Sequence, residues 1–130
     1  MKPAILKYLE ALKAADLEAL LNLFAAEALV HSPLYGSRKA SLFYRNLLAD
    51  TRTSELKPLD IFINTESRTA ALHFLYEWTM RDGSKITFDC VDIFSFDESG
   101  KISDLKIIYD TAATRPLFES LHPPKPDTHV

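Results

Sequence analysis

His73-Phe74-Leu75-Tyr76-Glu77-Trp78-Thr79-Met80, then Arg81-Asp82-Gly83-Ser84, then Lys85-Ile86-Thr87-Phe88-Asp89-Cys90-Val91-Asp92-Ile93-Phe94-Ser95-Phe96, is the stretch on which the fold turns. Two runs of aromatic and β-branched residues flank Asp82-Gly83, which is the pattern of a β-hairpin. In the second run, alternate side chains point to opposite faces. One face reads Ile86, Phe88, Cys90, Asp92, Phe94 and Phe96; the other reads Thr87, Asp89, Val91, Ile93 and Ser95. Asp92 is the single charge on the apolar face. A carboxylate among aromatic groups is costly to bury unless it is paired, hydrogen-bonded or protonated. That carboxyl therefore marks the centre of an internal apolar pocket.

The hairpin also sets a register. A two-residue Asp82-Gly83 turn places His73 opposite Asp92, Leu75 opposite Cys90 and Glu77 opposite Phe88. A four-residue turn gives the same pairs, and a bulge breaks them. In that register two readings of His73 stand open: a general base beside the acid, or a structural partner that satisfies it. Phe74, Tyr76, Trp78 and Met80 then share one face, and Leu75, Phe88 and Phe94 the other. Both faces need cover. Helices and a pocket cover one, and a second copy of the chain covers the other, so a homodimer through the sheet is expected.

Bulk properties bound the function. A chain of 130 residues makes one domain with a real core. Its 47% hydrophobic and 25% charged residues, with a net charge of −3, suit a soluble protein and offer no basic field for nucleic acid. No apolar run approaches the roughly 20 residues that cross a bilayer, and the N-terminus enters a helical pattern at once, so neither a membrane span nor a signal peptide is expected. The single Cys90 excludes an internal disulfide and fits a reducing, cytoplasmic setting. Three glycines carry no phosphate-cradling spacing. His31, His73, His122 and His129 lack ligand spacing. Neither a metal nor another cofactor is expected.

Along the chain, Pro3 suits the first turn of a helix, with Ile5, Tyr8, Leu9 and Leu12 as its apolar stripe. Asp16 caps a second helix carrying Leu17, Leu20, Leu21 and Phe24. Ala28 to His31 reads as a short strand ended by Ser32-Pro33. Ser37 is placed to cap a third helix with Phe43, Tyr44 and Leu47, and Thr51 to Ser54 as a polar break. Leu56 to Ile63 is a strand in which Pro58 suits an edge or bulge. After the hairpin, Asp97 to Gly100 turns into a last strand over Lys101 to Asp110. The order is α+β: three N-terminal helices and a curved, mainly antiparallel (mixed) sheet that wraps them as a cone. One domain spans residues 1–115. A Pro-rich tail spans 116–130, extended from Pro123 onward, and its Arg115-Pro116-Leu117-Phe118 start is placed to fold over an opening or a seam.

Tyr8-Leu9-Glu10-Ala11-Leu12, Ala15-Asp16-Leu17-Glu18, Leu23-Phe24-Ala25, Val30-His31-Ser32-Pro33, Phe43-Tyr44-Arg45-Asn46 and Val91-Asp92-Ile93-Phe94 through Gly100-Lys101-Ile102 together resemble the nuclear transport factor 2-like superfamily. The likeness is to its SnoaL-like and ketosteroid isomerase branch. It implies a cone with a deep apolar pocket and frequent dimers, and it does not assign chemistry, because many functions share the scaffold. Ketosteroid isomerases use a first-helix tyrosine and a protonated aspartic acid as oxyanion donors. The resemblance puts these at Tyr8 and Asp92, with a supporting tyrosine at Tyr44. Their general base, an aspartate before a proline, falls on Ser32, which cannot abstract a carbon-bound proton unaided.

The resulting expectation is an isomerase or polyketide cyclase-like enzyme moving a proton next to a carbonyl of an apolar small molecule. Tyr8 and Asp92 stabilise the oxygen and His73 is the base. Ser32, Tyr35, Tyr44, Phe88, Cys90, Ile107 and Tyr109 contact the ligand. The alternatives are a non-catalytic binder of hydrophobic ligands and a dimerisation module with a packed interior. A Ser32-centred triad with His31 is set aside: strand alternation puts the two on opposite faces, and no nucleophile elbow surrounds Ser32.

Overall fold

The structure, a computed structural model, describes residues 1–123. The elements run α1 (Lys2–Lys13), α2 (Leu17–Leu21), β1 (Phe24–Ser32), β2 (Gly36–Lys39), α3 (Ala40–Ala49), β3 (Thr51–Asn64), β4 (Thr69–Met80), β5 (Lys85–Phe96), β6 (Ile102–Ile108) and α4 (Thr114–Leu121). Pro3 opens α1, which buries Ile5, Tyr8, Leu9 and Leu12 on one face. Asp16 caps α2 by accepting from the Ala19 amide at 3.1 Å.

The six strands form one sheet in the order β2-β1-β6-β5-β4-β3. β1 and β6 run parallel and every other pair is antiparallel, so the sheet is mixed. α3 touches β1 and β2 at one end of the sheet and β3 at the other. A flat sheet cannot reach one helix from both ends, so this one curls around α3 without closing. β3 is an edge, and its ladder shifts register between Pro58 and Asp60, where proline has no amide to donate.

Several local expectations change. Ser37 is a β2 residue opposite His31, and Lys39 precedes α3 in its place. Thr51 to Ser54 opens β3: Thr51, Thr53 and Ser54 pair with Met80, Thr79 and Trp78 of β4, with a register shift at Arg52. The tail is helical as far as Leu121 and does fold back: Arg115 donates to the Pro33 carbonyl at 2.9 Å, and the Phe118 and Tyr35 rings meet edge-on at 4.9 Å. The expectation of an extended run falls, from Pro124 onward, outside the described residues.

The largest correction concerns the central hairpin. Its loop is Arg81-Asp82-Gly83: the Met80 amide donates to the Ser84 carbonyl at 2.8 Å and the Gly83 amide to the Met80 carbonyl at 2.9 Å. Gly83 takes φ +92°, the positive-φ position that a three-residue hairpin loop needs. One extra loop residue shifts the register by one and turns every side chain of β4 over relative to β5. Leu72 therefore faces Asp92, and His73 faces Val91. Phe74, Tyr76, Trp78 and Met80 join Cys90, Asp92 and Phe94 on one buried inner face. Leu75, Val91 and Ile93 lie outside, half-buried.

Candidate functional site

The inner face of the sheet and α1 and α3 line a partly open cavity. Leu12, Phe43, Leu47, Phe74, Trp78, Phe88 and Ile107 give it apolar walls. Its polar groups come from Tyr8, Cys90 and Asp92 and from Ser32, Tyr35, Tyr76 and Tyr109. The space is narrow, about 40 Å³. A cavity of that size holds water but no drug-sized guest without movement of its walls.

Asp92 sits on β5 with 1% of its surface exposed. The Cys90 thiol, two residues along the same face, donates to its Oδ1 at 3.4 Å. Burial pushes the carboxyl up from 3.8 to about 7, and the weak thiol contact opposes that only in part. Burial first, then the neighbouring carboxyl, pushes the Cys90 thiol far up, so it is no thiolate nucleophile.

Tyr8 reaches the same region from α1. Its hydroxyl lies 2.7 Å from that of Tyr44 on α3, and the rings meet edge-on at 6.1 Å. Burial, then Tyr44 and Asp92, hold the Tyr8 phenol well above the usual tyrosine range. Burial does the same to Tyr44, opposed by the hydrogen bond it shares with Tyr8, in which either hydroxyl can donate. Tyr44, expected as a ligand contact, is fully buried and does not line the cavity; its hydroxyl meets Tyr8 instead.

Ser32 lines the cavity, with its Oγ accepting from the amides of Leu34 and Tyr35 at 3.2 and 3.1 Å. Burial raises the Tyr109 phenol, and Arg115 and Ser32 oppose the shift. The Tyr76 phenol is also raised by burial, and its hydroxyl pairs with Ser54 at 2.7 Å. Among the described residues that line the cavity, Asp92 is the one titrating group placed near neutrality; the phenols and the thiol are all pushed up.

His73 is not in this site. It lies on the outer face, its Nε2 2.8 Å from Asp89 Oδ1. The role of base expected of it fails, because the three-residue loop turns it away from Asp92. His31 also points outward, as strand alternation requires, with Nδ1 2.8 Å from Ser37 Oγ and Nε2 2.8 Å from Asp104 Oδ1. Neither histidine lines the cavity. Sequence reasoning missed the walls from Leu12, Phe43, Leu47, Phe74, Tyr76 and Trp78. The last three share the even-numbered alternation of Asp92, a signal that becomes readable once the loop length is known.

Comparison with known proteins fits this architecture. A search of curated proteins finds no match. Similar solved structures include an NTF2-like protein of unknown function from Burkholderia pseudomallei, 18% identical, TM-score 0.78, covering 90% of this chain and 95% of that one. The BvnE pinacolase from Penicillium brevicompactum is 13% identical, TM-score 0.77, with 92% and 89% covered. The epoxide hydrolase/cyclase-like enzyme SalBIII, described in pyran ring formation in polyether salinomycin, is 15% identical, TM-score 0.73, with 84% and 89% covered. At these identities the likeness speaks for the fold. Sequence carries it further: the family model of the SnoaL-like domain matches residues 5–105, from Ile5 on α1 to Leu105 on β6, and the chain belongs to that family.

Proposed function

We propose that this protein is a small-molecule enzyme of isomerase or cyclase type, acting by proton transfer next to a carbonyl inside the Asp92 cavity. Asp92 takes the proton from the carbon beside the carbonyl. The Tyr8 hydroxyl, oriented by Tyr44, donates to the oxygen as negative charge develops there. Return of the proton to a different carbon is an isomerisation; attack of the carbanion on a second carbonyl carbon of the same molecule breaks that C=O π bond, and the alkoxide formed takes the proton back from Asp92, which is a cyclisation. The observation that carries this reading is a buried carboxyl poised at about 7 in a cavity where its neighbours are apolar walls, phenols, one hydroxyl and one thiol. Structural neighbours described as a cyclase-like enzyme and a pinacolase lend it support.

The test is solvent-deuterium incorporation next to the carbonyl across a panel of ketosteroids and polyketide-like ketones, followed by NMR. Loss of a general base predicts that Asp92→Asn slows exchange by about 10²–10⁴-fold. Equal rates in wild type and Asp92→Asn would reject the assignment.

A second reading, a binder of hydrophobic ligands without chemistry, is favoured by Ser32 at the position where the related isomerases carry their base. An apolar molecule that co-purifies with the protein and is never converted supports that reading.

A further inference from the structure

Tyr35 has two sides. One lines the cavity beside Ser32, and the other meets Phe118 of α4 edge-on at 4.9 Å. Its hydroxyl donates to Asp50 Oδ2 at 2.6 Å. That carboxyl, 5% exposed, closes α3 and is a junction: His122 Nε2 lies 2.7 Å from the same oxygen, and Arg81 Nε 3.4 Å from Oδ1. Arg81 also donates to the Leu121 carbonyl at 2.9 Å. The cavity wall and the end of α4 are thus tied to one carboxylate.

α4 itself is held lightly. Thr114 is its one buried residue; Leu117, Phe118 and Leu121 are half-buried, and the rest are exposed. Its docking rests on Leu117, Phe118 and Leu121 against the core, the Asp50 junction, and the contacts of Arg81 to Leu121 and of Arg115 to Pro33. A segment with few buried apolar contacts opens at low free-energy cost. The cavity behind Tyr35, about 40 Å³, is too small for a drug-sized guest as it stands.

We propose that α4 and Tyr35 form the gate of the Asp92 cavity, with Asp50 as the positioning residue that holds Tyr35 shut. Release of His122 and Phe118 frees the Tyr35 ring to swing away, and an uncharged organic guest passes beneath α4. The proposal rests on the reading of this cavity as a ligand site, and its test needs no turnover.

Trp78, the single tryptophan, lines the cavity and is 2% exposed, so its fluorescence reports access from solvent. Acrylamide, a neutral quencher larger than water, is the probe, used on the full chain. Phe118→Ala and, separately, the milder His122→Gln are expected to raise the quenching constant at least threefold, and Phe118→Tyr to keep the wild-type value. Phe62→Ala, at an exposed β3 position, controls for general loosening. Hydrogen exchange on β4 and β5 confirms that the body of each variant stays folded. Unchanged quenching in both Phe118→Ala and His122→Gln overturns the gate. Quenching is read with no substrate present and the chemistry by deuterium exchange, so failure of the proposed chemistry and failure of the gate read out separately.

Discussion

The Cys90 thiol donates to Asp92 Oδ1 at 3.4 Å, two residues apart on the inner face of β5. A thiol is a weak donor, so desolvation wins and the carboxyl sits near 7. A hydroxyl in its place donates more strongly to the ionised form. Cys90→Ser is expected to lower the Asp92 midpoint and Cys90→Ala to raise it, both followed by a carboxyl-carbon NMR titration. A midpoint that ignores both substitutions would show that this contact does not tune the acid.

The raised midpoint makes folding pH-dependent. The folded state keeps the Asp92 proton up to about 7, whereas the unfolded chain loses it near 3.8. The stability contribution is therefore fully present below the ordinary carboxylate range and is lost as pH rises through about 7. Between pH 5 and pH 8, urea denaturation is expected to show wild type losing about 2–3 kcal/mol more than Asp92→Asn. Equal losses in the two proteins contradict the assignment.

Gly83 fixes which β4 side chains share a face with that acid. At φ +92° an added Cβ has room, with Arg52 Nη1 nearest at 3.6 Å, so the cost of substitution is backbone strain. Gly83→Ala is expected to destabilise by about 1–2 kcal/mol in chemical denaturation, with the near-ultraviolet signal of Trp78 retained. A neutral effect would mean that the loop relaxes into another turn.

Asp92 and Tyr8 could be read as pocket residues because a charge on an apolar strand face and a phenol on a buried helix stripe are anomalies that composition exposes. The register could not. Asp82-Gly83 serves equally as a two-residue turn or as the last two positions of a three-residue loop, and that difference carried His73 outside and Phe74, Tyr76 and Trp78 inside. α4 was hidden for another reason. Leu117, Phe118 and Leu121 make one short apolar face just ahead of a proline run, and its docking depends on Asp50 and Tyr35, distant in sequence.

Pairing of two chains through the sheet keeps its place as a proposal, on different residues from those first expected. The outer face carries Leu75, Val91 and Ile93, half-buried, beside exposed Ile108. We propose a second copy of the chain as their cover. Light scattering on the purified protein is expected to give twice the chain mass, and Val91→Arg with Ile93→Arg to halve it. A wild-type monomer at every concentration rejects the pairing.

Tyr8 and Tyr44 share one hydrogen bond, and the two hydroxyls have different duties. Tyr8 lines the cavity and Tyr44 does not. Tyr8→Phe removes the donor to the developing oxyanion, and a loss of about 3 kcal/mol in transition-state stabilisation is roughly a 10²-fold fall in kcat. Tyr44→Phe leaves that donor in place and removes the group that aims it, so a smaller fall, about tenfold, is expected. Both substitutions strand one buried hydroxyl, at about 1–3 kcal/mol of folding stability. Kinetics on any substrate found in the deuterium screen, set beside denaturation curves for the two variants, separates the roles. Equal stability losses with unequal kcat assign the chemistry to Tyr8; equal kcat losses make the pair purely structural.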